Sequence, residues 1–593
     1  MMSRHVAARP MMDTPTREKV INGALGRVKA DLVIQNASVV NVYTGEILKN
    51  SAVSILDEWI VYVGQSPEHT IGPTTDVMDV SGMTLIPGLI DGHTHLAWLF
   101  TIDAFLRHAA AGGTTTLVTE SMETYPVSGY AGVVDFLDSL SDQPVKIFAT
   151  APPMMSISKN ARGISPEDLD HLLDRSDIIG LGEAYWQAVI QETDRLLPLF
   201  EKTLATGKSL EGHSAGASET KLMAYLASGV SSCHEPINAG EVLDRLRLGL
   251  HVMIREGSIR SDLEEISKIR HENVDSRRMI LVTDGIEPGH LMDKGYMETV
   301  VQKAIRCGFD PVSAIQMATL NVAEHFSLDH LIGGIAPGRQ ADLVLIPDPE
   351  TIDPKIVISR GCIIARDGKL VVEPRKHVYS PDSLHTVHLP NPLSASDFAI
   401  NTATDAATVS IRVIDLVTSL VTREKRMNLP VDSGELKVDP ENDLLKVAAV
   451  DRTHVPGKRF VGVIRGFGIR SGAVASSAAW DTSDIIVVGA DEGAMAMAVN
   501  RVHALQGGVV VCDGGDVIAE LPLPVFGLIS ERPMTGLRSD MERVKDRIVQ
   551  LGFPYDDPLL TLITLTGQAI PFFRICEEGL VDFKSGNTVT LFV

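Results

Sequence analysis

Residues 91–95 read DGHTH and follow the apolar run TLIPGLI. Side chains alternate between faces along an extended segment, so His93 and His95 share a face and both rings can turn to one metal ion. Two histidines do not make a site. Four further residues of ligand type complete a set: Glu183 in GLGE, His213 in EGHSAG, His234 in CHE and Asp284 in VTDG. Such a group of nitrogen and oxygen donors is enough for two divalent cations, and it suits zinc, iron and manganese alike. Cations roughly 3.5 to 4 Å apart need a shared carboxylate to offset their repulsion, and Glu183, in the middle of the series, is the candidate bridge. Asp284 is the candidate to bind an ion, hold a nucleophilic water and accept its proton, because a metal ion lowers the pKa of that water towards neutrality.

Each residue also has an ordinary structural reading. His213 and His234 could be satisfied core histidines, and Asp284 a cap or turn residue. Glu183 follows an apolar run, where an unpaired charge is costly. What favours a site is position, because every one of these residues ends a strand-like run.

Those runs are TLIPGLIDGHTH (84–95), TTTLVTE (114–120), VKIFATAP (145–152), DIIGLGE (177–183), SLEGH (209–213), VSSCHE (230–235), LHVMIREG (250–257) and RMILVTD (278–284). Amphipathic stretches such as TKLMAYLASG and AGEVLDRLRLG separate most of them. Eight strands alternating with helices predict a (β/α)8 barrel over 85–334, a fold whose active residues cluster where the strands end. The alternative is an open doubly wound sheet, weakened in its dinucleotide-binding form by the lack of an early glycine fingerprint. Cys233 has the opposite phase to His234 and reads as core. His108, His171, His251 and His325 read as surface or core-edge residues.

Before the barrel, ADLVIQNASVVNVYTGEI and SAVSILDEWIVYVG read as β hairpins, and so do GGIAPGRQADLVLIPD and IVISRGCIIARDGKLVV after it. The economical architecture is α/β, with the barrel inserted into a small split β-sandwich domain formed by 25–84 and 335–379. Residues 1–24 read as a flexible leader and 380–400, rich in Pro, Ser and His, as a linker. The remainder, 401–593, combines strand signals with a helical EGAMAMAVNRVHALQG and reads as a C-terminal α/β domain.

The formal net charge of −23 disfavours a nucleic-acid partner, since a phosphate backbone is repelled on average. No run of 18 apolar residues is present, so no membrane span is expected. Five scattered cysteines without a CxxC pair fit a reducing, cytoplasmic setting, as does a first segment lacking a signal-peptide core. A homo-oligomer assembled through the outer helices is expected.

The chain resembles the amidohydrolase superfamily through GLIDGHTH, the ligand series and GGIAPGRQADLVLI. Within it, the chain is similar to the bacterial adenine deaminases along nearly its whole length, in CHEPINAGEVLDRLRLGLHVMIREGS, MATLNVAEHF, GFGIRSGAVASSAAWDTSDIIVVG and ELPLPVFGLIS among other stretches. The resemblance implies a barrel with a flanking β unit and a C-terminal domain. It implies hydrolytic deamination of adenine to hypoxanthine and ammonia, with a metal-activated water as nucleophile and two Mn2+ or Fe2+ ions, Zn2+ being possible. His93, His95, Glu183, His213, His234 and Asp284 fall on the family's metal-binding pattern, and Glu235 on a family acid that would protonate or orient a purine ring nitrogen. The chain departs from the family at Ala97 in place of Glu, Met122 in place of His, and Trp480 and Asp484 in place of two histidines around the retained Asp481; Glu120 and Glu123 are kept. The altered neighbours leave a second enzyme reading open: a dinuclear hydrolase of another aminated heterocycle or of a cyclic amide.

Overall fold

The stretch 84–95 does not form one strand. In the computed structural model, which describes residues 12–153, 156–159, 163–403, 406–570, 572–583 and 585–593, it breaks at Gly88: Thr84–Pro87 belongs to one sheet and Leu89–Thr94 to another. A Cβ at residue 88 would lie 2.1 Å from Oγ1 of Thr115, so only glycine lets the two sheets part here.

Past the break, Leu89–Thr94, Thr114–Thr119, Lys146–Ala151, Ile178–Tyr185 and Ser209–His213 pair in parallel in sequence order. Ser232–Cys233, His251–Arg255 and Met279–Val282 form a second parallel run. Two seams join the runs: Ser231 N donates to Leu210 O at 2.9 Å, and Asp284 N donates to His93 O at 3.0 Å. The eight strands therefore curl into a parallel barrel. Val118, Ile179, Met253 and Val282 belong to one apolar cluster with Ile90, Phe148 and Ile280. The polar residues Glu120, Glu183, Arg255 and Asp284 follow them two or four positions on, which keeps the same face of each strand. Val322 and Phe326, from the chain after the last strand, and Leu56, Trp59 and Val61 of the flanking sheet complete that cluster.

The flanking sheet interleaves both sides of the barrel in sequence. Leu343–Ile346 lies antiparallel on Thr84–Pro87, which in turn pairs with Leu32–Asn41. A third unit is a sheet ordered Glu435–Leu436, Thr422–Asp432, Thr408–Leu416, Arg459–Arg465, Leu444–Asp451, Asp484–Gly489, Ala473–Ser476, Gly508–Asp513 and Asp516–Pro522. The helix Glu492–Ala504 packs on it, burying Met495, Val499 and Val502.

This unit is stitched to the barrel mouth. Leu99–Phe100, just after the first barrel strand, pairs in parallel with Ile529–Ser530, and Leu99 N donates to Leu528 O at 2.9 Å. Leu99 has φ 72°, a conformation in which a bulky residue is strained. The parallel pairing holds it there.

Two expectations, the flexible leader and His325, need correction. Of the flexible leader, residues 1–11 lie outside the described residues, but Thr14–Ala24 is an α-helix. Asp13 caps it by accepting from Thr16 N at 2.8 Å, and a Cβ at Gly23 would stand 2.9 Å from Val61, so the helix lies close on the flanking sheet. The linker is ordered: Asp135 accepts from Ser380 N and the Ser383 hydroxyl, and Phe398 is fully buried. His325 is not a surface residue. It is buried, with Nε2 at 2.9 Å from Oε2 of Glu211 and its ring beside His251. No helix among the described residues is long and apolar enough to cross a membrane.

Candidate metal centre

Oε1 of Glu183 lies 3.2 Å from Nε2 of His93, 3.3 Å from Nε2 of His95 and 3.2 Å from Nε2 of His234. Oδ1 of Asp284 lies 3.3 Å and 3.4 Å from the first two nitrogens. His213 and His234 form a second group with Glu235, whose Oε1 is 3.3 Å and 3.4 Å from their Nε2 atoms. The structure thus brings all six sequence-derived residues and Glu235 to one end of the barrel, in two donor sets that share His234.

Local structure explains the convergence. A Cβ at Gly182 would fall 1.8 Å from Oε2 of Glu120 and 2.5 Å from Oγ1 of Thr150, so the glycine beside Glu183 clears space for a second carboxylate. Asp284 has φ 65° and is tied to His93 O, which turns its carboxylate across the barrel seam. Under the ligands, Oδ2 of Asp91 accepts from the hydroxyls of Thr283 and Tyr296, each at 2.6 Å, and Oδ1 accepts from His93 N at 3.2 Å. This fastens the first strand to the last beneath the site.

The donor set suits a divalent cation. Nε2 of His93 is buried and has no hydrogen-bond partner among the described residues, although two carboxylates are near. Their lone pairs converge on a shared centre. Bonds of about 2.1 Å to one ion place neighbouring donors about 3.0 to 3.4 Å apart, the spacing found here. Burial opposes ionisation of Glu183 and Asp284, but the surrounding imidazoles outweigh it and hold both carboxyls well below the usual range. Burial likewise opposes a charged His93 ring, yet Asp284 and Glu183 prevail and raise it to about 10. An ion must displace that proton to bind. Glu120 is pushed by burial up to about 7 and accepts from the Thr150 hydroxyl at 2.6 Å. Nδ1 of His95 is hydrogen-bonded to Oε1 of Glu123, an outer carboxylate that fixes ring orientation and tautomer.

Two groups that sequence reasoning missed complete the floor and wall. Arg255, at the end of the seventh strand, contacts Glu235 through Nη1, reaches Oδ2 of Asp284 at 3.4 Å and pairs with Asp262 at 3.2 Å. Its signal was an inward-phase arginine at a strand end, in LHVMIREG. Burial works against Glu235 ionising, but the Arg255 charge holds its pKa below the ordinary value. A carboxylate so paired is suited to accept and orient, and less to donate a proton. Tyr185, two residues past Glu183, stacks edge-on against His213 at 4.9 Å and donates to Oδ1 of Asp481 at 3.1 Å.

Above the ligands is a cavity of about 470 Å3. Trp98, Met122, Leu420, Val421, Trp480 and Ile570 make its walls largely apolar, and Arg260 and Asp481 are among its polar groups. Of the four altered positions, Met122 and Trp480 line the cavity while Ala97 and Asp484 do not. Trp98 was not singled out from sequence, although it sits beside Ala97.

A parallel barrel carrying two sets of histidine and carboxylate donors at its strand ends defines an amidohydrolase-type protein, and the Amidohydrolase family model matches residues 84–371. The Adenine deaminase C-terminal domain model matches residues 419–587. An adenine deaminase from Moorella thermoacetica is 36% identical over 98% of this chain and 99% of its own. One from Clostridium botulinum (strain 657 / Type Ba4) is 33% identical over 96% of each chain, and one from Cenarchaeum symbiosum 34% identical over 95% of this chain and 92% of its own. Among solved structures, an enamidase described as a member of the amidohydrolase superfamily covers 58% of this chain and 99% of its own at 18% identity, with a TM-score of 0.46. The chain belongs to the adenine deaminase family.

Proposed function

We infer that the protein hydrolyses adenine to hypoxanthine and ammonia with the help of two divalent cations. The observation that carries this reading is Glu183 Oε1, which stands within 3.3 Å of three imidazole nitrogens in a chain related to adenine deaminases along nearly its whole length. His93, His95, Glu183, His213, His234 and Asp284 would hold the ions. Manganese or iron is the expected pair, on the family resemblance; the donor atoms alone also suit zinc. The ions, once bound, make a water nucleophilic near neutral pH and offset the repulsion between the carboxylates.

The remaining work falls to side chains. Asp284, ionised throughout the neutral range, accepts the proton of the attacking water and delivers it to the departing amino group. Water oxygen bonds to C6, the C6–N bond breaks and ammonia leaves; one water proton departs with the ammonia and the other ends on N1 as C6 becomes a carbonyl. Glu235, kept ionised by Arg255, orients the six-membered ring by accepting from its amino N–H. Glu123 holds His95 in place, and Trp98 and Trp480 exclude water from the flat substrate.

The same reading divides the chain into a barrel over 85–334 inserted in a split β domain, 25–84 with 335–379, and a C-terminal α/β domain over 401–593 that roofs the site. A cytoplasmic homo-oligomer acting on small heterocycles is the corresponding setting. The deciding experiment is metal analysis of the purified protein with ammonia release from adenine and from a panel of cyclic amides. Metal-dependent release from adenine is the expected result. Fully metallated protein that turns over a cyclic amide and leaves adenine untouched would overturn it.

A further inference from the structure

Asp481 lines the cavity from the C-terminal unit, in the turn between the strands Ala473–Ser476 and Asp484–Gly489. Its backbone is left-handed, φ 59°, a cost that aspartate bears better than most residues and that marks a side chain aimed by its surroundings. The turn is fastened on both sides: Trp480 N donates to Ile563 O, and the Thr566 hydroxyl donates to Trp480 O at 2.8 Å. Each carboxyl oxygen receives one hydrogen bond, Oδ1 from Tyr185 at 3.1 Å and Oδ2 from Gln568 N at 2.8 Å. A carboxylate has about four acceptor positions, so about two stay open. No lysine, arginine or histidine forms an ion pair with it among the described residues.

The tyrosine sets where this carboxyl stands. Its ring meets His213 edge-on, and its hydroxyl meets Asp481, so one phenol length separates the acid from the second donor set. A planar bicyclic ring whose reacting carbon lies at the donor sets extends its far edge over a similar distance. We propose that Asp481 reads that far edge, accepting the N–H of the five-membered ring of a free purine base and so discriminating against purines whose ring nitrogen bears a sugar or alkyl group. This rests on the purine reading of the site and deepens it.

The discrimination is by hydrogen bonding and not by size. At about 470 Å3 the cavity has the size of an ordinary small-molecule site and is not closed down on a bare base. An acceptor enclosed by a bound ligand and left unpaired is costly, and sites built around such a bond reject analogues lacking the donor far more strongly than apolar pockets reject an extra group. Burial also pushes the Asp481 carboxyl up to about 7, as expected for an acid with no cation beside it.

The test is equilibrium binding of hypoxanthine and 9-methylhypoxanthine to the metal-loaded protein, run beside ammonia release from adenine and 9-methyladenine. Wild type, Asp481→Asn and Tyr185→Phe are compared, with metal content and thermal melting as controls. Asn keeps the shape and tolerates the left-handed backbone. The expected result is a free-base preference of at least about a hundredfold in wild type. Asp481→Asn should collapse it by weakening the free base alone, and Tyr185→Phe should reduce it. An unchanged preference in Asp481→Asn, equal weakening of both ligands, or no binding of either purine to the wild type overturns the assignment. Failure of the deamination reading shows separately, as purine binding without ammonia release.

Discussion

Nη1 of Arg255 is in direct contact with Oε1 of Glu235, a buried guanidinium on a partly buried carboxylate at the junction of the two donor sets. The same nitrogen stands 3.4 Å from Oδ2 of Asp284. One cation therefore keeps two working acids ionised, each on a different strand.

Arg255→Gln removes that cation and leaves Glu235, Asp284 and Asp262 facing one another. Both Glu235 and Asp284 have depressed pKa values in the folded state, so their contribution to stability is present above the ordinary carboxylate range and is lost as pH falls. With the arginine gone that loss begins at higher pH. The variant should melt lower by an amount equivalent to about 3 to 5 kcal/mol, and the acid limb of its kcat profile should move up. Arg255→Lys should recover part of both. Thermal melting from pH 4 to 8, with the pH–rate profile, is the measurement; an unmoved acid limb counts against the pairing.

Asp284→Asn keeps volume and can hold φ 65°, since asparagine tolerates left-handed backbone. It removes the proton acceptor. Turnover of adenine should fall by about 10²- to 10⁴-fold, and the melting temperature should fall as well, because the ionised carboxylate paired with His93 and Arg255 is lost. Steady-state ammonia release on protein matched for metal content checks this, and full activity would refute the role.

Metal uptake should release protons. In ion-free protein the His93 ring is raised to about 10, so at neutral pH it carries a proton that an incoming ion displaces. Apparent affinity for manganese should therefore rise with pH, and calorimetric heats should depend on the ionisation enthalpy of the buffer. The sign for stability is opposite. A histidine raised from 6.5 to about 10 stabilises the ion-free fold fully below pH 6.5 and loses that contribution as pH climbs through 10. Chelated protein should thus lose this part of its stability at high pH while the loaded protein does not.

How far the site could be read beforehand depended on what placed each residue. His93, Glu183, His213, His234 and Asp284 are delivered by strand periodicity and strand ends, which are local and visible in one sequence. The break at Gly88 was not, because TLIPGLID is uniformly apolar and the collision with Thr115 exists only after two sheets meet. Asp481 and Trp480 come from almost 300 residues beyond Glu183 and reach the cavity only through docking of the C-terminal unit. Ala97 and Asp484 show the converse. They are conspicuous substitutions in sequence, yet Ala97 is packed in the core and Asp484 begins a sheet strand beside Glu577. His325 was misjudged because its partner Glu211 lies over 100 positions away, and periodicity carries no information about such a pair.

That pair allows a test of scaffold against chemistry on a single strand. Glu211 and His213 sit two residues apart on the fifth barrel strand, one facing His325 and the other in the second donor set. Burial raises the Glu211 carboxyl, but the His325 charge and the hydroxyl of Ser232 outweigh it and bring it to about 2. Its contribution to stability is thus present above pH 4.5 and is lost as pH falls towards 2. His325→Leu leaves a buried, unpaired carboxylate and should destabilise by about 3 to 5 kcal/mol. The double variant Glu211→Leu with His325→Leu should regain most of that, because replacing both partners with apolar groups removes the desolvation cost together with the attraction. Metal stoichiometry in the double variant should equal that of the unaltered protein if Glu211 is only scaffold. Denaturant unfolding and metal analysis read the two effects apart, and a double variant no more stable than the single one would show that Glu211 owes nothing to His325.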